Sequence, residues 1–318
     1  MVNVIRRRLV AGLALAGGVG VTPLGFAAQP EEFPNSAGAE RPKSKAPALA
    51  CDSHVHIYDD AFPVLNTAAA KPVNADVAAY RRIQARLGTT RTVVVQPANY
   101  KTDNRVTLAA ISALGAKNTR GIAVVTPDVT DEELQHLHDG GIRGVRFSLF
   151  QPTGAITNVD MIGALAPRIQ ALGWHVQLQM RADLIVANAR MLSTLACPVV
   201  IDHMGRLPHP VIGSEAHRVM LSLLQQGRCW VKVSGAYLNS KQGAPDYADA
   251  RPIAQSFVDV APNRIVWGSD WPHPTEHDRK PDDARLFDLV GEWFTDTAVS
   301  HRILVDNPAE LYGFDMPN

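Results

Sequence analysis

Two histidines separated by a single valine, His54 and His56 in the stretch CDSHVHIYDD, are the first residues of the chain whose spacing suggests chemistry. On a strand, residues i and i+2 point to the same face, so both rings could grip one metal ion or one substrate. Alone, such a pair is a weak signal. It gains weight from WGSDWPHP, where Asp270 follows an apolar run, and from VVIDHMGR, where Asp202, His203 and Arg206 follow another. A carboxylate among imidazoles can act as a general base beside donors for a carbonyl, or it can complete a metal site. A buried, unpaired Asp with neither role would be costly.

The elements that must bring these residues together are short apolar runs rich in β-branched residues. CDSHVHIYD is the first, followed by RTVVVQPAN, GIAVVTPD, GVRFSLFQP, HVQLQM, PVVIDHMG, WVKVSGAY and RIVWGSDWP. Between them, segments such as DVAAYRRIQARLG, DEELQHLHDGG and SEAHRVMLSLLQQG carry apolar residues at helical intervals and end near Gly. Eight strand–helix alternations predict a single-domain (β/α)8 TIM-type barrel from Cys51 to the C-terminus. An open doubly wound sheet is the alternative, but no Gly-rich phosphate loop follows the first run.

In such a barrel the chemistry sits at the C-terminal strand ends. Polar residues gather there: Gln96 on the second strand, Arg146 on the fourth, Gln177 and Gln179 on the fifth, Tyr237 after the seventh. Strands one and eight are neighbours in a closed barrel, so His54, His56 and Asp270 are expected to meet. His273 and His277 fall on the eighth loop, where exposed histidines are common, and Trp271 reads as packing.

Thirty-one basic residues balance thirty-one acidic ones, which gives no reason to expect a nucleic-acid partner. Arg6 to Arg8, a mildly apolar stretch and small residues around Gly25 to Ala28 read as a twin-arginine export signal over residues 1–28. The stretch is too short and weakly apolar for a stable membrane anchor. A periplasmic location follows as an expectation, with a cytoplasmic enzyme carrying an uncleaved tail as the alternative. Residues 29–50, rich in Pro, Ala, Glu and Lys, read as a flexible lead-in. Cys51, Cys197 and Cys229 cannot all pair within the chain and read as buried free thiols.

In order along the chain, DSHVHIYD, GVRFSL, VVIDHMGR, VKVSGAY, VWGSDWPHP and DNPAELYGF resemble the amidohydrolase superfamily, of the amidohydrolase 2 type. More narrowly they resemble its branch of 2-pyrone-4,6-dicarboxylate lactonase and D-galactarolactone isomerase. The resemblance implies a distorted barrel and a hydrolase of lactone bonds. It gives His54, His56, His203 and Asp270 catalytic roles, and it matches Arg146 and Arg206 to arginines that hold substrate carboxylates, a task suited to the planar guanidinium fork.

Many members of that superfamily bind zinc or manganese. Here the fourth strand offers Arg146 in place of a ligand, and the fifth offers Gln177 and Gln179, whose amides are poor zinc ligands. The expectation is therefore no cofactor, with Asp270 as base and histidines polarising the carbonyl. If a divalent ion (Zn or Mn) were present, His54, His56 and Asp270 would hold it, in a metal-dependent hydrolase or decarboxylase. A non-catalytic periplasmic sugar-acid binder is a further alternative, although binding alone needs no base.

The substrate is expected to be a small carboxylated lactone. Where the resemblance to the dicarboxylate lactonase implies further basic residues, after the fourth strand and after the SG of the seventh, this chain offers Gln151, Tyr237 and Asn239, so the resemblance points to a sugar-acid lactone over a planar dicarboxylate. Gln96, Gln179, Tyr237 and Asn104 are the neutral candidates for reading its hydroxyls. Oligomeric state is not legible in the sequence.

Overall fold

The structure is a computed structural model that describes residues 32–68, 71–150 and 156–316. The expected export signal and Gln151 lie outside the described residues. Eight parallel strands follow the expected runs: β1 (Cys51–Val55), β2 (Arg91–Val95), β3 (Thr119–Ala123), β4 (Ile142–Leu149), β5 (His175–Met180), β6 (Val199–Ile201), β7 (Cys229–Ser234) and β8 (Ile265–Gly268). They pair in sequence order. Val55 bridges Trp271 in parallel, and hydrogen bonds from Asp270 N to His54 O (2.9 Å) and from His56 N to Trp271 O (2.8 Å) bring β1 against the chain after β8. The result is a nearly closed (β/α)8 barrel in one domain.

Local chemistry explains the elements. The helix Val77–Leu87 starts where the Asp76 side chain accepts from Ala79 N, and stops at Gly88, whose φ of 78° suits a residue without Cβ. Thr130 caps Asp131–Asp139, whose first turn carries three acidic residues at the positive end of the helix dipole. Ile83, Leu134, Ile162, Leu223 and Phe257 from the outer helices share one apolar cluster with Val94, Val145, Val176, Val199 and Ile265 of the strands. Each such side chain contributes about 1.5–3 kcal/mol when buried.

The barrel interior is different. His54, Arg146, Gln177, Asp202 and Lys232 are all buried there. β4 and β5 are registered so that Arg146 pairs with Gln177, and Ser148 with Gln179. The three cysteines are buried and free, as read from the sequence.

Residues 32–50 depart from the flexible lead-in. Phe33 is buried under the Arg86 guanidinium (4.6 Å), Arg86 Nε donates to Glu40 O, and Asp288 accepts from the backbone N–H groups of Lys43 and Ser44. Their partners lie on distant helices, so local composition carried no sign of them.

Candidate active site

Residues from both ends of the barrel chain converge on one point. β8 can approach β1 because Gly268 has no side chain: a Cβ there would lie 2.7 Å from both the Cβ and the backbone N of His54. Beyond β6 and β8 the backbone turns into left-handed conformations. His203, Met204 and Arg206 have φ of 52°, 53° and 45°, and Asp270 has 65°. Conformations this unfavourable for side-chain-bearing residues concentrate at functional sites.

The expected quartet is brought together. Asp270 Oδ1 lies 3.6 Å from His54 Nε2, 3.6 Å from His56 Nε2 and 3.8 Å from His203 Nε2, all beyond hydrogen-bond reach. Its other oxygen accepts a 2.7 Å hydrogen bond from the Tyr237 hydroxyl. Oδ1 is thus a buried carboxylate oxygen with no hydrogen-bond partner. Burial pushes Asp270 up to about 6, with the Tyr237 bond pulling it back. Burial and the Arg146 charge push His56 down to about 3. Burial likewise holds His54 and His203 well below the usual imidazole range. At neutral pH the site therefore holds an anionic acid among neutral imidazoles.

The histidine protons follow from their partners. A carbonyl only accepts, so His56 carries its proton on Nδ1, bonded to Val95 O at 2.8 Å, and presents a lone pair from Nε2. His54 Nε2 lies 3.3 Å from that lone pair. If His54 donates there, its Nδ1 is bare and faces Lys232 Nζ at 3.4 Å. His54 Nδ1 also lies 3.3 Å from Asp202 Oδ1, which has no hydrogen-bond partner; with the His54 proton on that side, the two Nε2 lone pairs would face each other and call for a donor or a cation between them.

Lys232 was not singled out from the sequence for the site, and Asp202 was named beside His203 without a role of its own. Lys232 Nζ donates to Ser53 O at 2.9 Å and lies 3.8 Å from Asp202, which also accepts from Arg146 Nε and Gln177 Nε2, each at 3.2 Å. Burial pushes Lys232 down to about 8. Burial would raise Asp202, but Lys232 and Arg146 outweigh it and hold the carboxyl below its usual range. One signal was available: Lys232 and Ser234 share a face of an otherwise apolar run.

Above the quartet opens a cavity of about 460 Å3 whose wall includes Arg146, Arg206, Gln179, His56, His203 and Asp270. Gln179 Oε1 accepts from an Arg146 Nη at 3.2 Å. The Arg206 guanidinium lies 4.1 Å over the Phe150 ring, and its buried Nε has no partner. Among the described residues Arg206 forms no ion pair. Asn66, Ser148, Thr275 and His277 add polar groups to the wall.

Other expected substrate contacts are used elsewhere. Gln96 is fully buried, donates to Lys101 O and Asp103 O, and accepts from Thr107 Oγ1. Asn104 donates to Thr102 O and Val124 O and accepts from Val124 N. Neither is among the described residues of the cavity wall. Their amides close loops because the backbone ends there need partners. Tyr237 holds Asp270 rather than the cavity, and Asn239 holds His203 O and Gly235 O. His273, expected on an exposed loop, is fully buried, whereas His277 is exposed at the cavity mouth. Trp271 packs as expected and donates to Pro34 O.

The superfamily resemblance raises a metal ion, and the residues fit one in spacing. Ligand atoms of His54, His203 and Asp270 lie within 4.8 Å of one another, and Asp270 Oδ1 lacks a partner. This trio contains His203 in place of the expected His56.

The chain matches the family described as Amidohydrolase over residues 51–314. It is 36% identical over 290 residues to 2-pyrone-4,6-dicarboxylate hydrolase of Comamonas testosteroni, covering 87% of this chain and 94% of that protein. It is 30% identical over 276 residues to D-galactarolactone isomerase of Agrobacterium fabrum, covering 85% and 93%. The crystal structure of a probable 2-pyrone-4,6-dicarboxylic acid hydrolase from Acinetobacter baumannii with citric acid bound superposes with a TM-score of 0.73, at 30% identity over 84% of this chain and all of that one.

Proposed function

We propose, from the premise that the chain belongs to the amidohydrolase family, that its barrel mouth hydrolyses or isomerises a small carboxylated lactone. The observation that carries this reading is the buried, partnerless Asp270 Oδ1 facing neutral imidazoles on the wall of a cavity that also holds two guanidiniums. A lone acceptor in such a place is suited to taking a proton from water.

The reaction runs as follows. Arg206, with Arg146, binds the substrate carboxylate and fixes the ring over Asp270. Asp270 takes a proton from water as its oxygen attacks the lactone carbonyl carbon. A donor N–H on His203 stabilises the developing oxyanion, while the His54 N–H is held by His56 Nε2. The ring C–O bond then breaks, and the proton held by Asp270 passes to the departing ring oxygen. His56 presents a lone pair toward this centre, so its part is to orient His54 rather than to donate to the carbonyl. If a substrate hydroxyl attacks in place of water, the same steps move the lactone to another ring size.

Lys232 supports a metal-free site, because its ammonium beside His54 Nδ1 favours the arrangement in which every imidazole proton has a place without an ion. Arg146 adds a second cation nearby. A metal-dependent hydrolase or decarboxylase is the second reading, favoured by the spacing of His54, His203 and Asp270. An ion held there would supply Lewis-acid polarisation of the carbonyl. Asn66, Ser148 and Thr275 support a hydroxylated, sugar-acid-like substrate. Arg6 to Arg8 and the apolar stretch after them support export by the twin-arginine route.

The test is a screen of aldaric and aldonic acid lactones and a pyrone dicarboxylate, followed by NMR so that ring isomerisation is seen beside hydrolysis. Turnover of a carboxylated lactone is expected. Turnover confined to other substrate classes would overturn the reading.

A further inference from the structure

We propose that His273 is a positioning residue for the Asp270 carboxylate, acting through the Tyr237 hydroxyl. The proposal rests on the reading of Asp270 as the general base. Tyr237 has one hydroxyl proton and two neighbours, Asp270 Oδ2 at 2.7 Å and His273 Nδ1 at 3.1 Å. Were that proton aimed at His273, the ionised Asp270 oxygen would face phenol lone pairs at short range. The Asp283 carboxylate only accepts, so His273 Nε2 carries a proton; a second proton on Nδ1, donated by the doubly protonated ring to the phenol oxygen, removes that choice and leaves the hydroxyl proton to Asp270.

His273 is fixed for this task from several sides. Its backbone N donates to Asp270 O at 2.7 Å, and its φ of 54° turns the ring back toward the barrel. Nε2 lies 3.2 Å from Asp283 Oδ2, and the ring meets Tyr237 edge-on, at 82° and 5.4 Å between centroids. The Lys280 ammonium donates to the His273 carbonyl. His273 and Asp283 are both fully buried, and neither is among the described residues of the cavity wall. A buried imidazole–carboxylate pair that cannot reach substrate acts on it only through Tyr237 and Asp270.

The two ring nitrogens have different amide mimics. An Asn side chain reaches the place of Nδ1, toward Tyr237, and a Gln side chain reaches that of Nε2, toward Asp283. His273→Asn, His273→Gln, Tyr237→Phe, the Tyr237→Phe/His273→Gln double variant and Asp270→Asn are compared on a lactone that the wild type turns over. His273→Gln and Tyr237→Phe are each expected to lower kcat by about tenfold to a hundredfold, the scale of one hydrogen bond to a charged group. KM should stay within about twofold, because neither group touches substrate. His273→Asn should recover most of the loss, and the double variant should be no slower than Tyr237→Phe, since both changes break one path.

Equal activity of the Asn and Gln variants, full activity of Tyr237→Phe, or a double variant losing the product of the single losses would overturn the proposal. Asp270→Asn separates this from failure of the underlying reading. Turnover surviving in that variant overturns the base assignment itself, whatever the His273 variants do.

Discussion

Asp270 and His54 meet twice across the seam between the two ends of the barrel chain. The backbone N of Asp270 donates to the His54 carbonyl at 2.9 Å, and its carboxylate Oδ1 stands 3.6 Å from the His54 ring. The hydrogen bond that draws the strand ends together therefore also sets the distance between the proposed base and the imidazole. Replacing Asp270 by Asn keeps the backbone bond and the shape of the side chain but removes the proposed base. A loss of about a hundredfold to ten-thousandfold in kcat is expected with an unchanged far-UV spectrum, measured by steady-state kinetics and circular dichroism.

The pH dependence carries a definite sign. Burial raises Asp270 to about 6, and only the ionised carboxylate can accept a proton. Activity should be level above that value and fall about tenfold per pH unit below it. A pH profile of kcat/KM between roughly 4.5 and 8 checks this. The acid limb should vanish in any residual activity of Asp270→Asn.

Arg206 should govern binding rather than chemistry. It lies over Phe150 without an ion pair among the described residues, so a substrate carboxylate gives it a partner that it otherwise lacks. Arg206→Ala is expected to raise KM by about tenfold to a hundredfold, the equivalent of roughly 1.5–3 kcal/mol for a charged hydrogen bond. The effect on kcat should be smaller. A lactone of the same ring without the carboxylate should be indifferent to the substitution.

What the sequence made legible was the part governed by local pattern. Alternating apolar runs ending in polar residues located all eight strands, and the topology of a barrel then placed Asp270 beside His54 and His56. Residue type alone did not tell where a side chain at a strand end would turn. Gln96, Asn104 and Tyr237 had the chemistry to read a substrate, yet loop carbonyls and Asp270 engage them first. Lys232 was overlooked because a lysine within an apolar run has a function only through its neighbours Ser53, His54 and Asp202, which lie far away in sequence. The same distance hid the docking of Phe33 beneath Arg86.

Gln96 separates these two kinds of residue by experiment. Its amide bonds to Lys101 O, Asp103 O and Thr107 Oγ1 are internal, so Gln96→Leu should lower stability by about 1–3 kcal/mol by leaving buried groups unpaired. Denaturant unfolding measures this. KM of the folded fraction should change little, in contrast with Arg206→Ala.

One measurement decides whether Asp270 works without an ion. Wild-type protein is stripped with chelator, its metal content is measured, and kcat/KM is determined on a lactone that it turns over, beside Asp270→Asn treated alike. The expected result is full wild-type activity at far less than one metal ion per chain, and loss of activity in Asp270→Asn. Activity that disappears on stripping and returns in proportion to added zinc or manganese would contradict the account.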